Sequence, residues 1–216
     1  MIRIILLLCI TVCFYGNSAS FNQQTKIERS EMKDSTSERI SIDSDYSLQE
    51  ALEGIYIPAG IRRNLAIVKV KYYSFDGNLH QGQVVISKEL KDDIEKIFDM
   101  IKKERFPVAK VIPIVHYGWN DEKSMEDNNT SAFNYRFIAG TKKLSNHSYG
   151  TAIDINPLLN PYIRKDLHQP KGSVYDPSQP GTITKNSFIV KEFNKLGWDW
   201  GGDWKDRKDY QHFEKQ

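Results

Sequence analysis

Residues 66–86 read AIVKVKYYSFDGNLHQGQVVI, and this stretch decides the fold class. Apolar and polar side chains alternate along residues 66–73, which is the period of a half-buried β-strand. Asp76-Gly77 is a typical turn pair, and residues 83–86 are suited to a returning strand. The stretch therefore predicts a β-hairpin.

Two amphipathic helices are predicted after this hairpin. Ser87 is a suitable N-cap for the first, and the second covers residues 186–196 and ends before Gly197, which suits a left-handed C-terminal cap. Between them we expect a strand at residues 111–115 and a polar loop at residues 120–130. Hairpins and segregated helices together predict an α+β fold, with an antiparallel sheet and helices packed on one side. The apolar positions of the first helix are Leu90, Ile94, Ile97, Phe98 and Ile101.

The N-terminal residues predict export. One positive charge at Arg3 precedes an apolar run at residues 4–15, which is too short to span a bilayer stably, and small residues follow. We therefore expect a signal peptide at residues 1–20, with a retained anchor as the alternative. Both cysteines, Cys9 and Cys13, lie in this segment, so the mature chain has none for a disulfide. Lipidation at Cys13 is disfavoured because the preceding Val12 is not small.

The rest of the chain predicts a polar linker followed by one domain. Residues 21–46 are polar, charged and poor in aromatic side chains, so we expect a disordered linker there and a single domain at residues 47–216. The formal net charge is only +2 and the charges are interspersed, which argues against a nucleic-acid partner. No heptad repeat suggests assembly, so we expect a monomer. We also expect no stable membrane span in the mature chain.

A dense group of polar residues predicts a metal site. Residues 145–157 read SNHSYGTAIDINP, and a loop turning at Gly150 into a strand could bring His147 and Asp154 to one ion. His212, near the C-terminus, can supply a third ligand. Two imidazoles and a carboxylate are typical of a catalytic zinc with an open fourth position for water, which predicts hydrolysis, although this ligand set also suits other transition metals.

This pattern resembles a known family. The motif Ser-x-His with Asp154 seven residues after the histidine, together with the late Asp-x-x-His-Phe-Glu, resembles the D-alanyl-D-alanine carboxypeptidase family of LAS-type zinc peptidases. The resemblance extends over about residues 65–214 and includes Asp121, residues 128–136, 156–162 and 197–204. It implies a LAS/hedgehog-like zinc peptidase fold with one Zn²⁺ held by His147, Asp154 and His212. It also implies peptidoglycan stem peptides as substrates, and hence action in the periplasm or extracytoplasmic cell-wall space.

The resemblance also implies roles for four further residues. Asp209 stands at the position of the general base, where many relatives have glutamate. Arg136 is expected to bind the substrate carboxylate or to neutralise the oxyanion, and Ser145 to help position the substrate. Glu214 is expected to orient His212, and it is the alternative general base if Asp209 does not act as one. The alternatives are a solvated charge for Asp209 and a structural ion pair for Arg136.

Three functions are compatible with this reading. The leading hypothesis is a zinc carboxypeptidase that removes the terminal D-Ala of stem peptides. An L-alanyl-D-glutamate endopeptidase would use the same metal site, and a catalytically silent, zinc-stabilised wall-binding module is the non-enzymatic alternative. The remaining histidines His80, His116 and His168 are expected to be ordinary surface or packing residues. The tryptophans Trp198, Trp200 and Trp204 could be core and pocket wall or a sugar-stacking platform, and no catalytic role is expected for them.

Overall fold

The computed structural model describes residues 39–216, of which residues 40–216 form one compact unit. The predicted signal peptide and residues 21–38 of the predicted linker lie outside the described residues. The strands are β1 Ser41–Ile42, β2 Leu65–Tyr73, β3 Leu79–Ser87, β4 Lys110–Val111, β5 Asn129–Thr130, β6 Ala152–Asp154, β7 Tyr162–Arg164, β8 Leu167–Gln169, β9 Asp199–Trp200, β10 Lys208–Asp209 and β11 His212–Glu214. The α-helices are α1 Leu48–Ala51, α2 Ala59–Arg63, α3 Lys91–Lys103, α4 Asp121–Glu126 and α5 Phe188–Lys195.

The predicted hairpin is confirmed. Strands β2 and β3 pair antiparallel from Leu65 opposite Ser87 to Tyr73 opposite Leu79, which is longer than the alternation in sequence indicates. Strand β1 adds to the other edge of β3 in parallel. A hydrogen bond of 2.9 Å between His80 Nδ1 and Asp43 Oδ1 helps to fix β1 at that edge. Strand β1 therefore lies within residues 21–46, the range in which the sequence predicts a linker.

Helix α3 packs on this hairpin through its apolar stripe. Ile94, Ile97, Phe98 and Ile101 are all buried, as the spacing predicts, and they share one core cluster with Val84 and other residues of the hairpin. The Ser87 hydroxyl makes no capping hydrogen bond, and a 3₁₀ turn at Lys88–Leu90 leads into the helix instead. The backbone N–H of Ser87 donates to Gly150 O at 2.8 Å, which joins the hairpin to the segment that carries His147.

Two predictions between the helices are wrong. The strand expected at residues 111–115 ends at Val111, because Pro113 begins a 3₁₀ helix at Ile114–Tyr117. The loop expected at residues 120–130 contains helix α4 and strand β5. The side chain of Asn120 caps α4 by accepting from the N–H of Lys123 at 2.9 Å.

The strands form several small sheets. Within residues 39–216 these are three three-stranded sheets, β1-β3-β2, β10-β7-β8 and β6-β11-β9, and the two-stranded pair β4-β5. The α+β class is confirmed, but the expectation of one antiparallel sheet is wrong. The described strands form several separate small sheets, and β1–β3 and β4–β5 are parallel pairs. Helix α5 ends before Gly197, whose φ of 81° is the left-handed conformation predicted there.

Helices of the described part of the chain are short. The longest, α3, has 13 residues, and none of those in residues 39–216 has the length and apolar character needed to cross a bilayer.

Candidate metal centre

Three side chains predicted to bind metal lie together. His147 Nε2 is 3.2 Å from Asp154 Oδ2 and 3.2 Å from His212 Nδ1, and His212 Nδ1 is 2.9 Å from Asp154 Oδ1. All three residues are buried, with exposed fractions of 4%, 8% and 6%. The structure therefore brings two imidazoles and one carboxylate to a single point, although 65 positions separate the two histidines in sequence.

His147 is held by its own short helix and by a backbone carbonyl. It lies in the 3₁₀ helix Asn146–Tyr149, where the Ser145 hydroxyl accepts from the His147 N–H at 3.3 Å. Its ring Nδ1 donates to the carbonyl of Ala132. Because a carbonyl can only accept, Nδ1 carries the proton and Nε2 keeps its lone pair for the centre.

Gly150 allows this helix to lie close to the hairpin. Its φ is +66°, and a Cβ added there would lie 2.7 Å from the N atom of Ser87 and 2.8 Å from Leu65 Cδ2. The backbone at this position is left-handed, and its close contact with the hairpin leaves no room for a side chain. Only glycine tolerates both conditions at low energetic cost.

Asp154 and His212 are placed by strand register. Strands β6 and β11 pair antiparallel with these two residues directly opposite each other, and their neighbours Ile153 and Phe213 also pair and are buried in the core. Alternation along the strands then directs the carboxylate and the imidazole to the same face. The nitrogen on the far side of His212, Nε2, donates to Glu214 Oε2 at 2.9 Å.

The donor set fits a zinc ion. Ligand atoms about 2.0–2.1 Å from a tetrahedral zinc lie about 3.3 Å from one another, close to the separations of 2.9–3.2 Å among these three side chains. Each histidine has its outer nitrogen bound to an oxygen acceptor, which is the usual arrangement behind metal-binding imidazoles. The three residues are also a candidate metal-binding group by the convergence of their ligand atoms within 4.8 Å.

The electrostatics of the centre favour positive charge. Burial opposes ionisation of Asp154, but the neighbouring His147 and His212 hold its pKa well below the usual range. Burial would lower the pKa of His212, but its hydrogen bonds to Asp154 and Glu214 raise it to about 10. The hydrogen bond from His212 lowers the pKa of Glu214. Two carboxylates therefore flank the imidazole and stabilise a cation at this point.

Asp209 lies close to the centre, and one of its two carboxylate oxygens has no hydrogen-bond partner among residues 39–216. It is on β10, which pairs with β7, and its Oδ1 is buried without a hydrogen bond from any of residues 39–216. Burial raises its pKa to about 6, the positive charge of His212 opposes that shift and the charge of Asp154 adds to it. The effect of these two residues on its pKa shows that the carboxyl group shares their electrostatic environment. Asp209 is therefore not a solvated surface charge.

Gly201 packs directly behind Asp209. A Cβ on this glycine would lie 2.6 Å from Asp209 O, 2.8 Å from Asp209 Cβ and 3.3 Å from His212 Cβ. The absence of a side chain at position 201 thus sets how closely Asp209 and His212 approach each other.

Arg136 forms an ion pair and is half-buried. Its Nη2 lies 3.1 Å from Asp121 Oδ2, and Asn134 donates to the other carboxylate oxygen at 2.9 Å. The Arg136 N–H donates to the hydroxyl of Ser148, which belongs to the 3₁₀ helix of His147. Its buried Nε finds no acceptor within the described chain. Arg136 therefore takes part in a structural ion pair with Asp121, and its buried Nε has no acceptor among residues 39–216.

Two other polar groups were not identified from the sequence. The Asn146 side chain donates to Glu214 Oε2 at 2.7 Å, a contact across 68 positions that no local motif indicates. The backbone carbonyl of Ala132, which binds His147, has no sequence signal because every residue carries one. Ser145, expected to position substrate, has its hydroxyl in the cap described above.

All three tryptophans line one cavity, and two of them are also buried in the core. Trp198 and Trp200 are buried, and their indole N–H groups donate to Asp93 and to the carbonyl of Tyr210. Trp204 packs against His212, with ring centroids 5.4 Å apart. A cavity of about 470 Å³ is lined by Asn194, Gly197, Trp198, Asp199, Trp200, Asp203 and Trp204.

Fold and site together define an α+β protein with a buried candidate metal centre. Residues 139–215 match the family model described as D-alanyl-D-alanine carboxypeptidase. The resemblance found in the sequence is thereby confirmed over this segment, which contains the three clustered residues and Asp209, and the match supports a metallopeptidase. Arg136 precedes the matched segment. No solved structure matches the chain.

Proposed function

We propose that this protein is a zinc-dependent D-alanyl-D-alanine carboxypeptidase that hydrolyses the terminal peptide bond of peptidoglycan stem peptides. The observation that carries the proposal is the convergence of His147, Asp154 and His212 within the segment that matches the family. These three residues would hold the ion. Zinc bound there would act as a Lewis acid on the scissile carbonyl and lower the pKa of a water molecule.

Asp209 is the proposed general base. Its Oδ1 is a buried acceptor without a partner in the described structure, so it is free to take a proton from the attacking water. The same carboxyl would then return that proton to the leaving amine. Glu214 is a weaker candidate, because its Oε2 already accepts from His212 and from Asn146.

Arg136 is the proposed binding group for the substrate carboxylate. Asp121 holds one end of its guanidinium, and the Arg136 side chain is 32% exposed, so the planar group is oriented and can still contact a ligand. A free C-terminal carboxylate is the ligand that such a fork recognises best. Ser145 would act by fixing the His147 helix beside the substrate, since its hydroxyl caps that helix.

The remaining features of the proposal follow from the family. We expect the LAS/hedgehog-like arrangement for the peptidase domain at residues 47–216, with β1 as an N-terminal addition. Export by residues 1–20 would place a monomeric enzyme with one zinc per chain in the extracytoplasmic cell-wall space, where its substrate lies.

Digestion of a purified stem pentapeptide, followed by mass spectrometry, tests the function. Loss of a single alanine supports the carboxypeptidase, whereas a longer released fragment would identify the L-alanyl-D-glutamate endopeptidase. Zinc binding without hydrolysis of any muropeptide would leave only the wall-binding module, and a chain that binds no zinc after supplementation would refute all three.

Asp209→Asn tests the base within the same assay. The amide keeps the shape of the carboxyl group but cannot accept the proton, so we expect kcat to fall by about 10²–10⁴ while zinc content is retained. Asp99→Asn is the matched control, because Asp99 is exposed on helix α3 and pairs with Lys102 at 3.7 Å. Full activity of Asp209→Asn would move the role of base to Glu214.

A further inference from the structure

One carboxylate oxygen connects the two segments that carry the histidines. Glu214 Oε2 accepts from His212 Nε2 at 2.9 Å and from Asn146 Nδ2 at 2.7 Å. Asn146 directly precedes His147 in the 3₁₀ helix, and Glu214 follows His212 by two residues in β11. The hydrogen bonds therefore run from the element of one histidine to the ring of the other, on the side of His212 that faces away from the centre.

We infer that Asn146 is a positioning residue: it holds Glu214 against His212 and thereby directs the His212 Nδ1 lone pair into the metal centre. The inference rests on the proposed function, because it concerns the geometry of the same zinc site. It adds a residue for which neither the sequence motif nor the metal-binding cluster gives a role.

Hydrogen-bond chemistry fixes the orientation of the Asn146 amide and the position of the proton on His212. A carboxylate can only accept, so the amide of Asn146 must present its NH₂ and His212 must carry a proton on Nε2. Protonation at Nε2 leaves the Nδ1 lone pair for the ion, and the position of Glu214 sets the orientation of the ring.

Glu214 depends on Asn146 for its own orientation. Its backbone is fixed by pairing with Ala152 on one side and Asp199 on the other, but its long side chain is 16% exposed and has several rotatable bonds. Its two hydrogen bonds at Oε2 come from His212 and Asn146. Without Asn146 the carboxylate can turn toward water, and the imidazole loses its fixed acceptor.

The Asn146 side chain is not needed for the fold of its helix. That helix is capped by the Ser145 hydroxyl, and the Asn146 carbonyl accepts from the N–H and the hydroxyl of Thr151 at 3.2 Å and 3.3 Å. Those contacts use the backbone of residue 146. A change confined to the Asn146 amide therefore separates positioning of Glu214 from local stability.

Asn146→Asp is the sharpest test, because it keeps the shape but replaces the donor with a second acceptor facing Glu214. We expect zinc affinity, measured with zinc alone by chelator competition, to fall by about 10–100-fold, the usual cost of losing an outer partner of a metal-binding histidine. The metal-free Asn146→Asp variant should show a His212 Nε2–H signal that is shifted, or exchanges faster, relative to the metal-free wild type in ¹H–¹⁵N imidazole spectra. Thr151→Val is the matched control, since it removes a side-chain bond to the same helix without touching Glu214, and its affinity should stay within about twofold of wild type.

Each outcome supports or overturns the inference. Asn146→Ala removes the donor without adding a charge, and it provides the readout if the aspartate variant does not fold. Zinc affinity and the His212 signal both unchanged in the tested variant would overturn the inference, as would an equal loss in Thr151→Val. If the wild-type chain binds zinc but hydrolyses no peptide, the proposed function fails while the affinity comparison still decides the role of Asn146. If wild type binds no zinc, the role of Asn146 is decided by comparing the His212 Nε2–H signal of the metal-free variants with that of wild type.

Discussion

Adding one methyl group at Gly201 should damage the site while leaving its chemical groups in place. In Gly201→Ala the new Cβ would lie 2.6 Å from Asp209 O and 2.8 Å from Asp209 Cβ. Carbon atoms in contact prefer about 3.5–4.0 Å, so the backbone of Asp209 must move by roughly 1 Å. His212 Cβ, 3.3 Å from the same point, restricts movement in its direction.

A displacement of that size is large for a catalytic group. Misplacement by about 1 Å can cost about 10²-fold in rate, and overpacking a filled site typically costs about 1–3 kcal/mol of stability. We therefore expect kcat/KM for stem-peptide hydrolysis to fall about 100-fold, with a lower urea midpoint. The rate is to be expressed per bound zinc, measured on the same samples, so that metal loss is separated from misplacement.

Gly60→Ala provides the matched control. Gly60 lies in helix α2, and a Cβ there meets nothing within 4 Å. Alanine in a helix should stabilise the protein by about 0.5–1 kcal/mol and leave activity unchanged. Wild-type kcat/KM and an unchanged midpoint in Gly201→Ala would refute the view that close packing at this glycine positions Asp209.

Three further predictions concern charge, recognition and packing. Asp209→Asn should stabilise the metal-free protein by up to about 3 kcal/mol at pH 8 and not at pH 4, measured by urea unfolding. The reason is that a raised carboxyl pKa of about 6 gives the folded state stability that is present at low pH and lost as pH rises through that value; an equal difference at both pH values would contradict it. Arg136→Lys should raise KM for a stem peptide about tenfold with a smaller change in kcat, because lysine cannot make the bidentate contact; an unchanged KM would leave only the ion pair with Asp121. Ile94→Ala should cost about 2–5 kcal/mol in unfolding free energy, since Ile94 is fully buried beneath the hairpin, and a loss below 1 kcal/mol would show that α3 does not pack as described.

Elements with long periodic patterns were predictable from sequence. The hairpin and α3 were found because their apolar residues repeat over many positions, and α5 because its end at Gly197 carries a recognised cap. Helix α4 was missed because it has only six residues and a polar sequence, and depends on the Asn120 cap and on packing of Ser124. Strand β1 was missed because two residues carry no period, and its pairing depends on a distant partner.

The candidate site shows the same division. His147, Asp154 and His212 could be proposed from a motif of residue types at fixed spacing, and the structure brings them together. The Asn146–Glu214 contact and the Ala132 carbonyl could not, because one joins residues 68 positions apart and the other is a backbone group. Spacing thus identifies metal-binding side chains, whereas the groups that orient them become visible only in the folded chain.

The contact between Gly150 and the hairpin bears on how the protein can be divided. Residues 139–215 contain every proposed zinc ligand, yet the surface beneath them is supplied by Leu65 and Ser87, and the acceptor for His147 by Ala132. A fragment that begins at residue 139 would expose the buried faces of β6 and β11. It would also lack the Ala132 carbonyl, which fixes the tautomer of His147. The segment that matches the family model is therefore not an independent folding unit. A chimera that exchanges this segment must also include the β2–β3 hairpin on which it packs.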